Sequence, residues 1–216
     1  MKKSLLISLL LAATLLPSLQ GCIPFIAAGA TAGALATFDR RTLGTQTEDE
    51  TIEWKASALV NEKLGDKAHI NFTSYNRKVL LTGEVPTNEA KAEAERLVLS
   101  VNHVQSVYNE LLIRPVSSFS DRSNDSFITS KVKSRSVDSG KFNPVHVKVI
   151  TEAGTVFLLG MVTQLEANSA IQVARTTAGA KTVVNLLEII TPAKARELDI
   201  AQSSGENNKP AEEKIH

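Results

Sequence analysis

Two hydrophobic periods alternate along this chain, and the alternation runs through twice. Ile52, Ala56, Leu59 and Val60 recur with Lys63 at helical spacing, which predicts an amphipathic helix ending near Gly65. Residues 70–74 switch to a period of two, Tyr75-Asn76-Arg77-Lys78 reads as a hairpin turn, and 79–85 is a second strand. Pro86-Thr87-Asn88 opens a helix to about Val101, and residues 107–113 form a last strand. The order then repeats. Asn124 or Asp125 caps a helix from Phe127 to about Val137, and residues 140–144 break it. Strands are predicted at 145–151 and 155–162 around a Glu152-Ala153-Gly154 turn. Thr163 and Glu166 have capping-box spacing and start a helix to about Thr177; a strand at 183–190 ends before Pro192. The fold class is α+β: two tandem α-β-β-α-β domains, each a small three-stranded sheet with two helices on one face.

Residue identities repeat with the pattern. Val79-Leu80-Leu81-Thr82-Gly83-Glu84-Val85 returns 77 residues later as Val156-Phe157-Leu158-Leu159-Gly160-Met161-Val162. His69 pairs with His146, and Glu89-Ala90 with Glu166-Ala167. After a one-residue deletion, Val107-Tyr108-Asn109-Glu110-Leu111 pairs with Val183-Val184-Asn185-Leu186-Leu187. Two copies are too few for a solenoid, so each copy closes a modest core or the two share one. The second copy favours sharing. Its central strand is apolar on both sides, and its last strand adds Val184, Leu186 and Ile190, whereas its helices can cover one face only. The other face is expected to pack on the first domain.

The N-terminus supplies an address. Lys2 and Lys3 precede an apolar run from Leu5 to Leu16, followed by Leu19-Gln20-Gly21-Cys22, which resembles a bacterial lipobox. Cys22 is the only cysteine, so it forms no internal disulfide. Acylated there, the protein needs no membrane span, because buried acyl methylenes contribute about 0.8 kcal/mol each. Ile23 rather than Asp follows the cysteine, and by resemblance to sorting in enteric bacteria this sends the protein to the periplasmic face of the outer membrane. The resulting plan is a signal peptide over 1–21, a lipidated tether over 22–50 and a first domain over 51–115. A linker over 116–123, a second domain over 124–191 and a disordered tail over 192–216 complete it.

A lipobox, Asp39-Arg40-Arg41-Thr42 with Gly44-Thr45-Gln46, and Lys78-Val79-Leu80-Leu81-Thr82-Gly83 together resemble the BON domain family. Val107-Tyr108-Asn109-Glu110, Ile128-Thr129-Ser130-Lys131-Val132 and Val156-Phe157-Leu158-Leu159-Gly160 extend the likeness over nearly all of the processed chain up to Ile190. Within the family, the tandem-domain outer-membrane lipoproteins of Gram-negative bacteria fit best. The resemblance implies binding to phospholipid membranes, a role in outer-membrane integrity and no catalytic activity.

The residues themselves agree with a non-enzyme. The net charge is +1, which gives no sign of nucleic acid as a partner. Neither HExxH, CxxC, a glycine-rich phosphate loop nor G-x-S-x-G occurs, so no cofactor and no small-molecule substrate is expected. His69 and His146 read as paired surface positions before a strand, and Gly83 and Gly160 as places of bending or close packing. The candidate chemistry lies on the helix that starts the second copy. Phe127 and Lys131 share a stripe with Arg135 flanking it, while Lys133 points away from Phe127. An aromatic beside cations suits an anionic phospholipid surface, each cation contributing on the order of 1 kcal/mol. Residues 124–190 carry seven basic against five acidic side chains, and residues 51–115 carry eight of each. The predicted lipid site is therefore Phe127, Lys131, Lys133 and Arg135, with Cys22 as the anchor. Trp54 projects from the far side of the first helix. The alternative function is an adaptor that docks on outer-membrane assembly proteins or peptidoglycan.

Overall fold

A computed structural model describes residues 39–65 and 68–203. The predicted signal peptide, Cys22, the tether before Asp39 and the tail beyond Ser203 lie outside those residues.

The first helix, α1 (Leu43–Leu64), starts well before Thr51. Its N-cap is Thr42, whose hydroxyl accepts the Thr45 N–H, and the buried stripe begins at Asp49 and continues through Ile52, Ala56 and Val60. Residues 43–50 therefore belong to the domain and not to the tether. Strands β1 (His69–Tyr75) and β2 (Lys78–Val85) pair antiparallel, with Tyr75 opposite Lys78. Asn76 and Arg77 both take positive φ (51° and 64°), the conformation that matches a two-residue turn to strand twist. Helix α2 (Asn88–Leu99) returns the chain for a parallel pairing with β2. The predicted last strand is split into β3 (Ser106–Asn109) and β4 (Leu112–Ile113). Between them Leu111 drops into the core at 1% exposure, since an apolar side chain at that step stabilises more by burial than by continuing the pleat.

In the second copy, α3 (Phe119–Ser139) begins inside the predicted linker. Ser118 and Asp121 form a reciprocal capping box, so Asn124 and Asp125 lie in the second turn instead of capping it. A 3₁₀ turn (Pro144–His146) takes the place of the predicted strand start, because Pro144 has no N–H for a ladder. Strand β5 (Lys148–Glu152) follows, then β6 (Thr155–Val162), helix α4 (Gln164–Arg175) and β7 (Thr182–Ile189), in the order β5-β6-β7. The predicted tail carries a fifth α-helix in its first half, α5 (Pro192–Ser203). Pro192 is its first residue, a position needing no N–H, and Thr191 caps it by accepting the Lys194 N–H at 3.1 Å. Among the described residues no helix is long and apolar enough to cross a membrane.

Burial corrects the internal alignment. Asp49, Ile52 and Ala56 match Asp125, Ile128 and Val132 at a spacing of 76, and so do Ala94, Val98 and Val101 with Ala170, Ala174 and Thr177. The two hairpin strands keep 77, and the last strand returns to 76. The extra residue in the first copy is Pro86, between Val85 and the Thr87 cap, where the second copy runs straight from Val162 to the Thr163 cap. Glu166 thus matches Ala90 and not Glu89.

The match exposes a repeated device. Asp49 accepts the N–H groups of Asn76 and Arg77 at 2.8 and 2.7 Å; Asp125 accepts those of Ala153 and Gly154 at 2.8 and 2.9 Å. In each copy a buried carboxylate on the first helix satisfies the left-handed hairpin turn and fixes helix to sheet. Gly83 and Gly160 are matched too. A Cβ on either would sit 2.0 or 2.1 Å from the carbonyl oxygen of His69 or His146 on the neighbouring strand or turn, so close backbone approach decides both positions.

Each pair of helices covers one face of its sheet. The other faces meet: Tyr75 and Leu80 pack with Phe157, Leu159 and Met161, and Leu198 of α5 closes the edge. The shared core expected from the doubly apolar second sheet is present. Polar links surround it, among them Asn71 to Glu152 (2.9 Å), Lys78 to Glu188 (2.7 Å) and Lys148 to Glu53 (3.2 Å).

Candidate functional site

The outward face of α3 follows from its inward one. With Asp125, Ile128, Val132 and Ser136 buried, the opposite side of a 21-residue helix must face solvent. Three large apolar side chains lie there: Phe119, Phe127 and Val137, at 80%, 61% and 65% exposure. At about 100° per residue, Phe119 and Val137 fall on one line roughly 80° from Phe127. Ser123, Ser130 and Ser134 fill the arc between, and Ser126 lies just outside it beside Phe119. The face is therefore apolar and hydroxylic along its whole length, and broader than Phe127 alone.

The predicted cations are placed differently from one another. Lys131 lies over the Phe127 ring, its ammonium 4.7 Å from the centroid, and donates to the Ala178 carbonyl. Lys133 is exposed, about 40° beyond the Phe119–Val137 line. Measured from Phe127 alone it points away; measured from the whole face, Lys131 and Lys133 flank opposite edges. Arg135 is committed inward. Its guanidinium donates to Val173 O (3.2 Å), Thr177 Oγ1 (2.8 Å) and Thr176 Oγ1 (3.0 Å), fastening α3 to the end of α4.

The segment joining the tether to the body is a second centre, and the sequence reading missed it. Arg40 is 3% exposed and reaches three elements of the second half. It donates to Met161 O (2.9 Å), to both Glu166 oxygens (2.9 and 3.1 Å) and to both Asp199 oxygens (2.8 and 3.1 Å). Burial alone would raise the Glu166 carboxyl; the Arg40 guanidinium and the Thr163 N–H, both hydrogen-bonded to it, outweigh burial, with the His146 ring 3.9 Å away, and hold the group well below the usual carboxylate range. Arg41 turns the other way. It pairs with Asp39 and Asp49 at 2.6 and 2.7 Å and stacks on Tyr75 at 4.0 Å, while Gln202 donates to its carbonyl.

The two histidines are not paired surface positions. His69 is half-buried beside Glu84, at 3.2 Å. His146 is 5% exposed between Glu166 and Asp199, and its Nδ1 has no hydrogen-bond partner. Each histidine faces its own carboxylates. Trp54 is exposed on α1, as its spacing predicts, at 71%.

Residues 49–115 and 124–191 each match the BON domain, so the chain belongs to the BON domain family. It is an outer-membrane lipoprotein of that family. It is 41% identical over 186 residues to the outer membrane lipoprotein DolP of Haemophilus influenzae, covering 85% of this chain and 95% of the relative. A 21 kDa hemolysin of Actinobacillus pleuropneumoniae is 34% identical over 154 residues, covering 70% and 79% of the two chains. The osmotically-inducible protein Y of Escherichia coli is 28% identical over 161 residues, covering 73% and 80%.

Proposed function

We propose that this lipoprotein is acylated at Cys22 and works without catalysis, holding anionic phospholipid of the periplasmic leaflet through α3 and thereby supporting outer-membrane integrity. The observation that carries the reading is the exposure of Phe119, Phe127 and Val137 on one helix face with Lys131 and Lys133 along its edges. Such a helix lies flat in the interface, with its apolar side chains among acyl chains and its lysines at the phosphates. Arg135 contributes by fixing the helix, and its charge adds to the local field.

The test is co-sedimentation of the soluble body, residues 39–216, with phosphatidylglycerol vesicles and with neutral vesicles. Binding to the anionic vesicles that weakens with salt is expected. Equal binding to both kinds overturns the reading. The anchor is tested separately: Cys22→Ala should abolish palmitate labelling and release the chain from membranes.

A further inference from the structure

The two copies treat the groove between their first helix and the end of their second helix in different ways. In the second copy Lys131 and Arg135 lie across it, donating to Val173 O, Ala178 O and the hydroxyls of Thr176 and Thr177. At the spacing of 76, Leu59 stands where Arg135 does, and Ser100-Val101-Asn102 stand for Thr176-Thr177-Ala178. The groove of the first copy is open, with a volume of about 400 Å³. Trp54 forms one wall, Leu59 and Val101 line the floor, and Glu62, Ser100 and Asn102 supply the polar groups.

We propose that this groove is a docking site for an arginine side chain on a partner protein. The second copy supplies the template, since an arginine of the chain itself occupies the matching place there. The chemistry of the first copy suits a guanidinium brought from outside. The exposed indole of Trp54 offers a face for a planar cation to stack on. Glu62 adds a carboxylate, and the C-terminus of α2 turns the negative end of its dipole toward Ser100. Lys55 also lines the groove and stands where Lys131 does, so it opposes an incoming charge there and leaves the Glu62 end, seven residues or about 10 Å along the helix, as the place for the guanidinium. Leu59 supplies an apolar bed for the arginine methylenes without competing for the acceptors.

Trp54 is the only tryptophan of the chain, so its fluorescence reports on this groove. The experiment titrates the full chain, in a non-ionic detergent, with capped tripeptides Gly-Arg-Gly, Gly-Leu-Gly and Gly-Glu-Gly. A saturable change in Trp54 emission with the arginine peptide is expected, at least tenfold weaker with the other two. Leu59→Arg fills the groove from within and should abolish the response; Glu62→Gln should weaken it several-fold. Circular dichroism checks that each variant folds, and if Leu59→Arg does not, Glu62→Gln decides. The proposal is overturned if the leucine peptide responds equally, if the response survives Leu59→Arg, or if Glu62→Gln leaves it unchanged. It is also overturned if Trp54 responds only to phosphatidylglycerol vesicles, which would make the groove a lipid face.

Discussion

Helices α1 and α3 occupy matching places and bury matching residues, yet they turn different chemistry outward. Both present an aspartate to the hairpin turn and an apolar stripe to the sheet. Outside, α1 carries Thr51 and Lys55, with Leu43 exposed where α3 has Phe119, and Trp54 beside an open groove, whereas α3 carries Phe127, Lys131 and Val137 as well as Phe119. The difference teaches which positions a duplicated fold holds fixed. Inward positions answer to geometry, because a turn amide or a close strand tolerates few substitutes. Outward positions answer only to solvent, and so each copy can acquire its own partner.

The largest effect should appear where the copies are alike. Gly83→Ala and Gly160→Ala each place a Cβ about 2 Å from a backbone oxygen. Each should cost more than about 4 kcal/mol in urea unfolding, and by similar amounts. Because the sheets share a core, either change should unfold the body in one transition; two separate transitions would show that the copies are independent.

The next effect should separate the halves. Arg40→Ala leaves Glu166 and Asp199 facing a buried gap and should cost about 3 kcal/mol. Arg77→Ala removes a surface pair with Glu48 and should cost less than about 1 kcal/mol. The clamp has a pH signature. The Glu166 carboxyl is depressed in the folded state, so its contribution is present above the unfolded value of about 4.3 and is lost as pH falls through the folded one. The gap between the wild-type protein and Arg40→Ala should stay level from neutral pH down to about 5 and shrink in stronger acid.

Membrane binding should separate the two helices. Phe127→Glu should weaken vesicle binding by about 2 kcal/mol, combining lost burial with repulsion, while Thr51→Glu at the matching position of α1 should change nothing. Lys131→Ala should weaken it by about 1 kcal/mol and flatten the salt dependence, and Lys55→Ala should do little. Equal effects from the two lysines would move the site off α3.

The smallest effect lies between the domains. Burial, with Glu84 nearby, pushes the Glu152 carboxyl up despite its bond from Asn71. A raised acid contributes stability below its unfolded value and loses it as pH rises through the folded one. Glu152→Gln should therefore stabilise the protein at neutral pH and not near pH 4, as thermal melts at the two values would show.

Most of the fold was legible because it rests on local signals. The alternating strands, the Thr163 capping box and the apolar back of the second sheet each pointed to the arrangement observed. The misses have physical causes. Ser118 and Asp121 form a capping box as plain as that at Thr163, but it stood in a serine-rich stretch that read as linker. Pro192 reads as a strand stop, and a proline serves equally well as the first residue of a helix. Asp49 and Asp125 were detectable only after the helices were aligned at 76 and the hairpin strands at 77. Of the α3 face, Phe127 and Lys131 were visible from spacing, while Phe119 was hidden by the misplaced start of the helix and Val137 by standing at its predicted end. Arg40 could not be read at all, since its carboxylates lie 126 and 159 residues away.

Those separations set an order of events. Arg40 is synthesised early, and its last partner, Asp199, comes 159 residues later. Loop closure over such a span is slow and comes late. The seat for Arg40 is finished only when α5 has docked. Without α5, Arg40 would keep Met161 and Glu166 but lose both bonds to Asp199. The partner set of Arg40 is therefore complete only once α5 is in place.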